Sequence, residues 1–296
     1  RERVSSEVTS TGGGRICMGD GSTFTYEADA QEEIARVDGL GDAATADDFN
    51  LRGLAGLCLS LNEQAIRDFS RAIDIDKTNA VFYSNRANVY IDLGEYEKAI
   101  VDLNRALDLD PENPITFNNR GVAYGETDQF ARALDDYNAA IRLDPNYAQA
   151  YRNRGFLYEQ EGQMQLALAS YNQAVELAPE RAGYYNDRGG IYLELEQYED
   201  ALADYQRAVE LLPENPVYWN NLGYTYRQVG EYDTAIEALS EAVAIAPDYT
   251  TAYINRAVAY WLIDEAQLCI DDYNTVLDID KTNAVAYNNR ALCFED

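Results

Sequence analysis

The sequence predicts an all-α solenoid of helix–turn–helix hairpins. Aromatic, small and proline positions recur every 34 residues, and an Arg–Asp spacing of sixteen recurs in step with them. The composition agrees with such a stack. The 296 residues carry 23 Lys plus Arg against 52 Asp plus Glu, a net charge of −29, and are 47% hydrophobic. That apolar share can bury a core, and the charge keeps a long stack soluble.

Residues 1–45 stand outside the period and read as an N-terminal extension. Val4–Ser10 is polar and β-branched, and Gly12–Gly14 interrupts it. Ile16 to Met18, the Gly19-Asp20-Gly21 turn and Thr23 to Tyr26 fit a short hairpin. Ala30, Ile34 and Val37 share one helical face, with Gly39 and Gly41 ending the helix. That helix is expected to cap the first repeat, and the segment before it to be a tail.

The period begins at residue 46, with further repeats starting at 80, 114, 148, 182, 216 and 250. The repeat 80–113 carries Tyr83, Ala87, Tyr90, Gly94, Tyr96, Ala99, Leu103, Ala106 and Pro111. The next places Phe117, Gly121, Tyr124, Phe130, Ala133, Tyr137, Ala140 and Pro145 at matching offsets, and only the loop glycine is missing. Gly53, Ala87, Gly121, Gly155, Gly189, Gly223 and Ala257 put a small residue in each first helix, and a second small residue recurs in each second helix. Small side chains let the two helices approach closely. Pro111, Pro145, Pro179, Pro213 and Pro247 end second helices. Arg52/Asp68, Arg86/Asp102, Arg120/Asp136, Arg188/Asp204 and Arg256/Asp272 are sixteen apart, whereas Leu222 and Ala238 lose both charges together. Paired loss is what a partly buried ion pair predicts. Only Arg154, opposite Ser170, breaks the rule.

Residues 284–296 read as a first helix without its second, so Phe294 lacks its usual neighbour. The expectation is a longer natural chain or another surface over this edge. A first residue that is Arg rather than Met points to a processed product or a fragment.

These phased positions resemble the tetratricopeptide repeat family, over about four-fifths of the chain. The resemblance implies a right-handed superhelical solenoid over 46–296, with seven full repeats and a half repeat. An asparagine stands at the sixth position of most repeats: Asn85, Asn119, Asn153, Asn221, Asn255 and Asn289, with Asp187 once. In the family this position lies on the first helix and faces the concave groove. The resemblance therefore implies a non-enzymatic interaction scaffold whose amides pair with an extended peptide backbone. Amides bonded to a neighbouring loop or helix fit the same residues. The family's lysine-lined clamp for acidic tails is not matched, since its positions read Ser84, Asn118, Arg152, Asn186, Asn220 and Ile254. A neutral or basic peptide suits the charge.

Ile254, Val258, Trp261 and Leu262 form an apolar patch at groove positions of the last full repeat. It reads either as an interface anchor or as packing against a cap. The alternative function is self-assembly: a head-to-tail filament or ring in which the half repeat docks on the next subunit's N-terminal extension.

Other chemistry is excluded or unsupported. With no histidine, Ser-His-Asp and Cys-His catalysis are out. Neighbouring acids such as Asp135 and Asp136 sit about 100° apart on a helix, poor geometry for acid–base work. No catalytic residue, metal or cofactor is expected. The negative field opposes nucleic acid, and no stretch is apolar enough for membrane insertion. Cys17, Cys58, Cys269 and Cys293 form no CxxC pair. They read either as buried small hydrophobes or as two disulfides, Cys17–Cys58 fastening the tail and Cys269–Cys293 the open edge. Disulfides would tilt the location toward secreted, periplasmic or extracellular rather than cytoplasmic.

Overall fold

A computed structural model describes residues 27–294, which form sixteen α-helices and one 3-10 turn. Cys17 and the expected hairpin and tail lie outside the described residues. The helices divide into two compact units, with the boundary between Asn153 and Arg154.

The first unit holds α1 (Glu27–Leu40), α2 (Ala46–Cys58), α3 (Asn62–Ile75), α4 (Ala80–Asp92), α5 (Tyr96–Leu109), α6 (Pro114–Glu126) and α7 (Phe130–Leu143). It also holds the start of α8 (Ala148–Gln160). The second unit holds the rest of α8, then α9 (Met164–Leu177), α10 (Ala182–Glu194), α11 (Tyr198–Leu211), α12 (Pro216–Gln228) and α13 (Tyr232–Ile245). It ends with α14 (Thr250–Leu262), α15 (Ala266–Ile279) and α16 (Ala284–Leu292). Each unit is a solenoid segment in which consecutive helices pack antiparallel, each hairpin on the next.

Local chemistry places many of the boundaries. Second helices end two residues before Pro111, Pro145, Pro179, Pro213 and Pro247, because proline cannot continue the ladder. Lys77 and Lys281 take the proline's place in two repeats. There the Asp76 carboxylate accepts from the Thr78 amide and hydroxyl, and Asp280 does the same for Thr282. First helices begin at Asn79, Asn113, Asn215 and Asn283, whose side chains accept the first free amides. Within hairpins the turn needs a left-handed residue at one offset, filled by Gly94, Gly162 and Gly230 or by Ser60, Asp128, Glu196 and Asp264.

The hairpins close around a notch. A Cβ on Gly121 would stand 2.7 Å from the Tyr137 ring, and one on Gly223 would stand 2.6 Å from Leu239. Gly53 and Gly155 meet Phe69 and Tyr171 in the same way. Ala87 is accommodated against Leu103.

Beside each notch lies the ion pair. Arg120 donates from Nε and Nη2 to the two oxygens of Asp136, both at 2.7 Å. Arg52, Arg86, Arg188 and Arg256 form the same fork. The carboxylates are buried and the guanidiniums half-buried. The free Nη1 reaches back one hairpin, from Arg120 to Asn104 at 2.8 Å and from Arg256 to Ser240 at 3.0 Å. Each such arginine therefore ties three helices and also lies over aromatic rings, as Arg120 does over Phe117 and Tyr124. These bonds hold the guanidiniums of Arg86, Arg120 and Arg256 above their ordinary pKa. Burial pushes the Asp204 and Asp272 carboxyls up, against the pull of their arginines. Because a guanidinium cannot lose its proton near neutrality, the pairs are ionic. Where the pair is missing, Leu222 and Ala238 are both buried. Arg154 instead donates from Nε to Ser170 at 3.1 Å.

The expected N-terminal helix is α1. Ala30 and Val37 are fully buried, and Ile34 packs with Leu54, Ala55 and Cys58 of α2. Thr45 and Asp48 form a capping box at the start of α2, and Asp48 also accepts from Arg36 of α1 at 2.7 Å. The Thr45 amide and hydroxyl, then Arg36, lower the Asp48 pKa from 3.8 to about 2.

Gly121→Ala is expected to lower stability by about 1–3 kcal/mol in urea melts, and adding Tyr137→Leu to recover part of it. Arg120→Leu is expected to cost about 3–5 kcal/mol, because Asp136 stays buried without its cation. Arg120→Leu with Asp136→Ala, which copies Leu222 and Ala238, is expected to cost far less by the same melts. Asp48 is depressed in the fold, so its contribution is full above 3.8 and lost as pH falls toward about 2. Amide exchange in α1 should quicken across that window, and Asp48→Ala should flatten the step.

Candidate peptide-binding surface

The sixth-position asparagines all lie on first helices and are half-buried. In the first unit, Asn153 Nδ2 donates to Asn118 Oδ1 at 2.9 Å, and Asn118 Nδ2 donates to Asn119 Oδ1 at 3.2 Å. Asn119 Nδ2 then donates to Asn88 Oδ1 at 2.8 Å. Asn85 donates separately to Asn50 at 2.8 Å. The second unit repeats the pattern, from Asn255 to Asn220 at 2.8 Å, Asn220 to Asn221 at 3.3 Å and Asn221 to Asn186 at 2.9 Å.

Each unit thus carries a run of four amides with one donor direction, from later repeats toward earlier ones. Such a run polarises cooperatively. The bonds between helices are the neighbour-helix alternative. They do not exhaust an amide, which offers two donors and two acceptor lone pairs. Asn118 and Asn220 are buried, whereas the sixth-position amides are half-buried and keep part of their surface open. The fifth-position partners Asn50, Asn118, Asn186 and Asn220 carry the structural share of the ladder. Their signal in the sequence is a spacing of 35, one more than the repeat.

The apolar patch divides. Ile254 turns inward and packs on the core around Tyr273, Val276 and Cys293. Leu262 is exposed. Val258 and Trp261 line a cavity with Tyr273, Asn289, Leu292 and the two cysteines Cys269 and Cys293. Trp261 is 40% exposed and borders a second hollow with Asp264, Ala266 and Cys293. By contrast, Trp219 donates from Nε1 to the Pro213 carbonyl and packs in the core.

Cys269 and Cys293 are bonded, with Cα atoms 6.2 Å apart, so α16 is covalently fixed to α15 at the cavity wall. Closing a loop of this length contributes about 3–4 kcal/mol in the chain-entropy account. Cys58 is also disulfide-bonded. Asn289 caps the floor: burial pushes the Tyr273 phenol up, and a hydrogen bond from Asn289 and the charge of Arg227 oppose it. Among the described residues no cluster of three acidic or cysteine ligands could hold a metal ion. None of the described helices is long and apolar enough to cross a membrane.

Three tetratricopeptide repeat family models match, at 87–128, 189–230 and 223–264, at 120–185, and at 69–101. The chain belongs to the tetratricopeptide repeat family. Among curated proteins none matches it. Solved structures share the fold. The protein YrrB, described as a TPR protein with an unusual peptide-binding site, is 23% identical with a TM-score of 0.56, covering 64% of this chain and 97% of its own. The Cut9–Hcn1 assembly of the APC/C is 18% identical with a TM-score of 0.66, covering 90% of this chain, which spans 55% of that one. PilF of Pseudomonas aeruginosa is 16% identical with a TM-score of 0.64, covering 73% of this chain and 98% of its own. At these identities the likeness is one of fold. The TPR fold is a protein–protein interaction scaffold.

Proposed function

We propose that this TPR protein is a non-enzymatic scaffold that holds an extended peptide against the first helices of its second unit. The observation that carries this reading is the cavity between α14 and α16, where Val258, Trp261 and Leu292 stand beside the amide of Asn289. An apolar ligand side chain would enter there and bury its surface against Trp261. The half-buried amides of Asn221 and Asn255 would meet the ligand backbone, which offers both donors and acceptors whatever its side chains. Net charge of −29 favours a neutral or basic segment and repels an acidic one.

Self-assembly into a filament or ring is the second reading. It draws on the exposure of Tyr287 on α16 and of Phe294 in the turn after it. The groove reading is preferred because it has a concave site with both apolar and polar walls, the usual make-up of a ligand pocket.

Selection of random twelve-residue peptides on the immobilised chain tests the groove. Enriched peptides are expected to share an apolar anchor and to lack acidic runs. Trp261→Ala should weaken them about 30-fold or more, as loss of an interface anchor does. Peptides that bind Trp261→Ala and Asn255→Ala as tightly as the parent would sink the proposal.

A further inference from the structure

Arg227, in the last turn of α12, is a cation that the chain leaves without an acid. Its repeat is the one in which Leu222 and Ala238 replace the Arg–Asp fork, so Arg227 belongs to no fork. It stands at the twelfth position, where the other full repeats carry Leu57, Ile91, Gly125, Glu159, Leu193 and Trp261. It lies inside the stack, since α12 packs on α11, α13 and α14. With 52 acidic residues in the chain, a half-buried arginine has no shortage of carboxylates to draw on. Yet its enclosed Nε has no hydrogen-bond partner, and no ion pair joins its guanidinium to a carboxylate among the described residues.

The guanidinium is held in place all the same. It lies over the Tyr224 ring, 4.8 Å from the centre, and Gln228 Nε2 fixes that ring by donating to the Tyr224 hydroxyl at 2.8 Å. The negative end of the α12 dipole favours a cation in this turn but gives Nε no acceptor. An enclosed donor left unpaired is costly and calls for a partner. Because Nε is shut in, the exposed surface of the side chain lies on its other atoms. The charge also acts on Tyr273, favouring its ionised phenol against the effect of burial. Tyr273 lines the cavity with Val258 and Trp261. The unpaired cation and the apolar pocket therefore share a neighbour.

We propose that Arg227 is the anion-binding position of the groove and takes one carboxylate of the bound peptide, close to its apolar anchor. This rests on the groove reading above and adds a second, charged contact to it. A carboxylate is the planar partner that a guanidinium holds with two parallel hydrogen bonds. Its arrival neutralises a charge that the chain leaves uncompensated. The rest of the peptide stays neutral or basic, because the net charge of −29 repels further acids. An Asp or Glu side chain and a free C-terminus both offer this chemistry. The contact is separate from the family's lysine-lined clamp, whose place in this repeat is taken by Asn220.

The test passes three pools of N-acetylated octapeptides, random but free of other acids, over the immobilised, oxidised 296-residue chain. One pool has Glu at its fourth position and an amidated end. The second has Gln there and an amidated end, and the third has Gln there and a free C-terminal carboxylate. Retained peptides are identified by mass spectrometry and titrated by fluorescence anisotropy. The best binders of the first or third pool are expected to be about tenfold or more tighter than those of the second. Which of those two pools leads separates a side-chain from a terminal carboxylate. Arg227→Met should bring both down to the level of the second pool. Arg227→Lys should keep part of the preference, which a folding defect would not do, and circular dichroism checks both variants. The inference is overturned if the three pools bind alike, or if the preference survives Arg227→Met. Release of all pools by Trp261→Ala then leaves the groove reading standing. If no pool binds the parent chain, the groove reading falls and this inference with it.

Discussion

The close approach of two helices at one small residue is the constraint on which the rest depends. Gly121 lies against Tyr137 at a distance that leaves no room for a methyl group. Arg120 and Asp136 are the immediate neighbours of that pair, so the same approach sets the guanidinium and the carboxylate at fork distance. A notch without the ion pair is tolerable, as Gly223 and Leu239 show beside Leu222 and Ala238. A buried carboxylate without its arginine is not, because desolvation would have no compensation. Packing thus comes first and electrostatics is built on it.

The ladder of arginines also explains how the hairpins are joined. Each guanidinium uses its fork within its own hairpin and its remaining nitrogen on the one before. The amide runs on the first helices add a second set of links between neighbouring repeats. Polar side chains therefore carry register between hairpins, while the aromatic and small residues carry it within them. In a stack whose units contact only their neighbours, such links set how far a local opening spreads.

The site combines these devices with one departure from them. In α14 the fifth position turns apolar, with Ile254 where the earlier repeats carry Asn50, Ser84, Asn118, Arg152, Asn186 and Asn220, and Val258 and Trp261 follow on the same helix. Past Asn255 the run is cut. Asn289 accepts from Asn288 at 3.2 Å and bonds to the Tyr273 phenol. The residue 35 before it is Ile254, which has no amide to receive it. A concave pocket results where polar and apolar surfaces meet, against a wall fixed by the Cys269–Cys293 bond.

Much of this was legible in the residues. The 34-residue period, the proline stops, the small-residue notches and the sixteen-residue Arg–Asp spacing determined the helices and their pairing, because each acts over one or two turns of helix or one hairpin. The capping role of Ala30, Ile34 and Val37 was legible for the same reason. Tertiary structure decided the rest. Whether the asparagines face a ligand or one another depends on amide orientation across a gap between repeats, and the answer is that they do the second with donors and acceptors to spare. Of the patch, only Val258 and Trp261 line the cavity, because Ile254 has a core to turn toward. The pairing of Cys269 with Cys293 likewise needed the two helices to be placed side by side. Local periodicity writes the hairpin, but which surfaces stay open is a property of the stack.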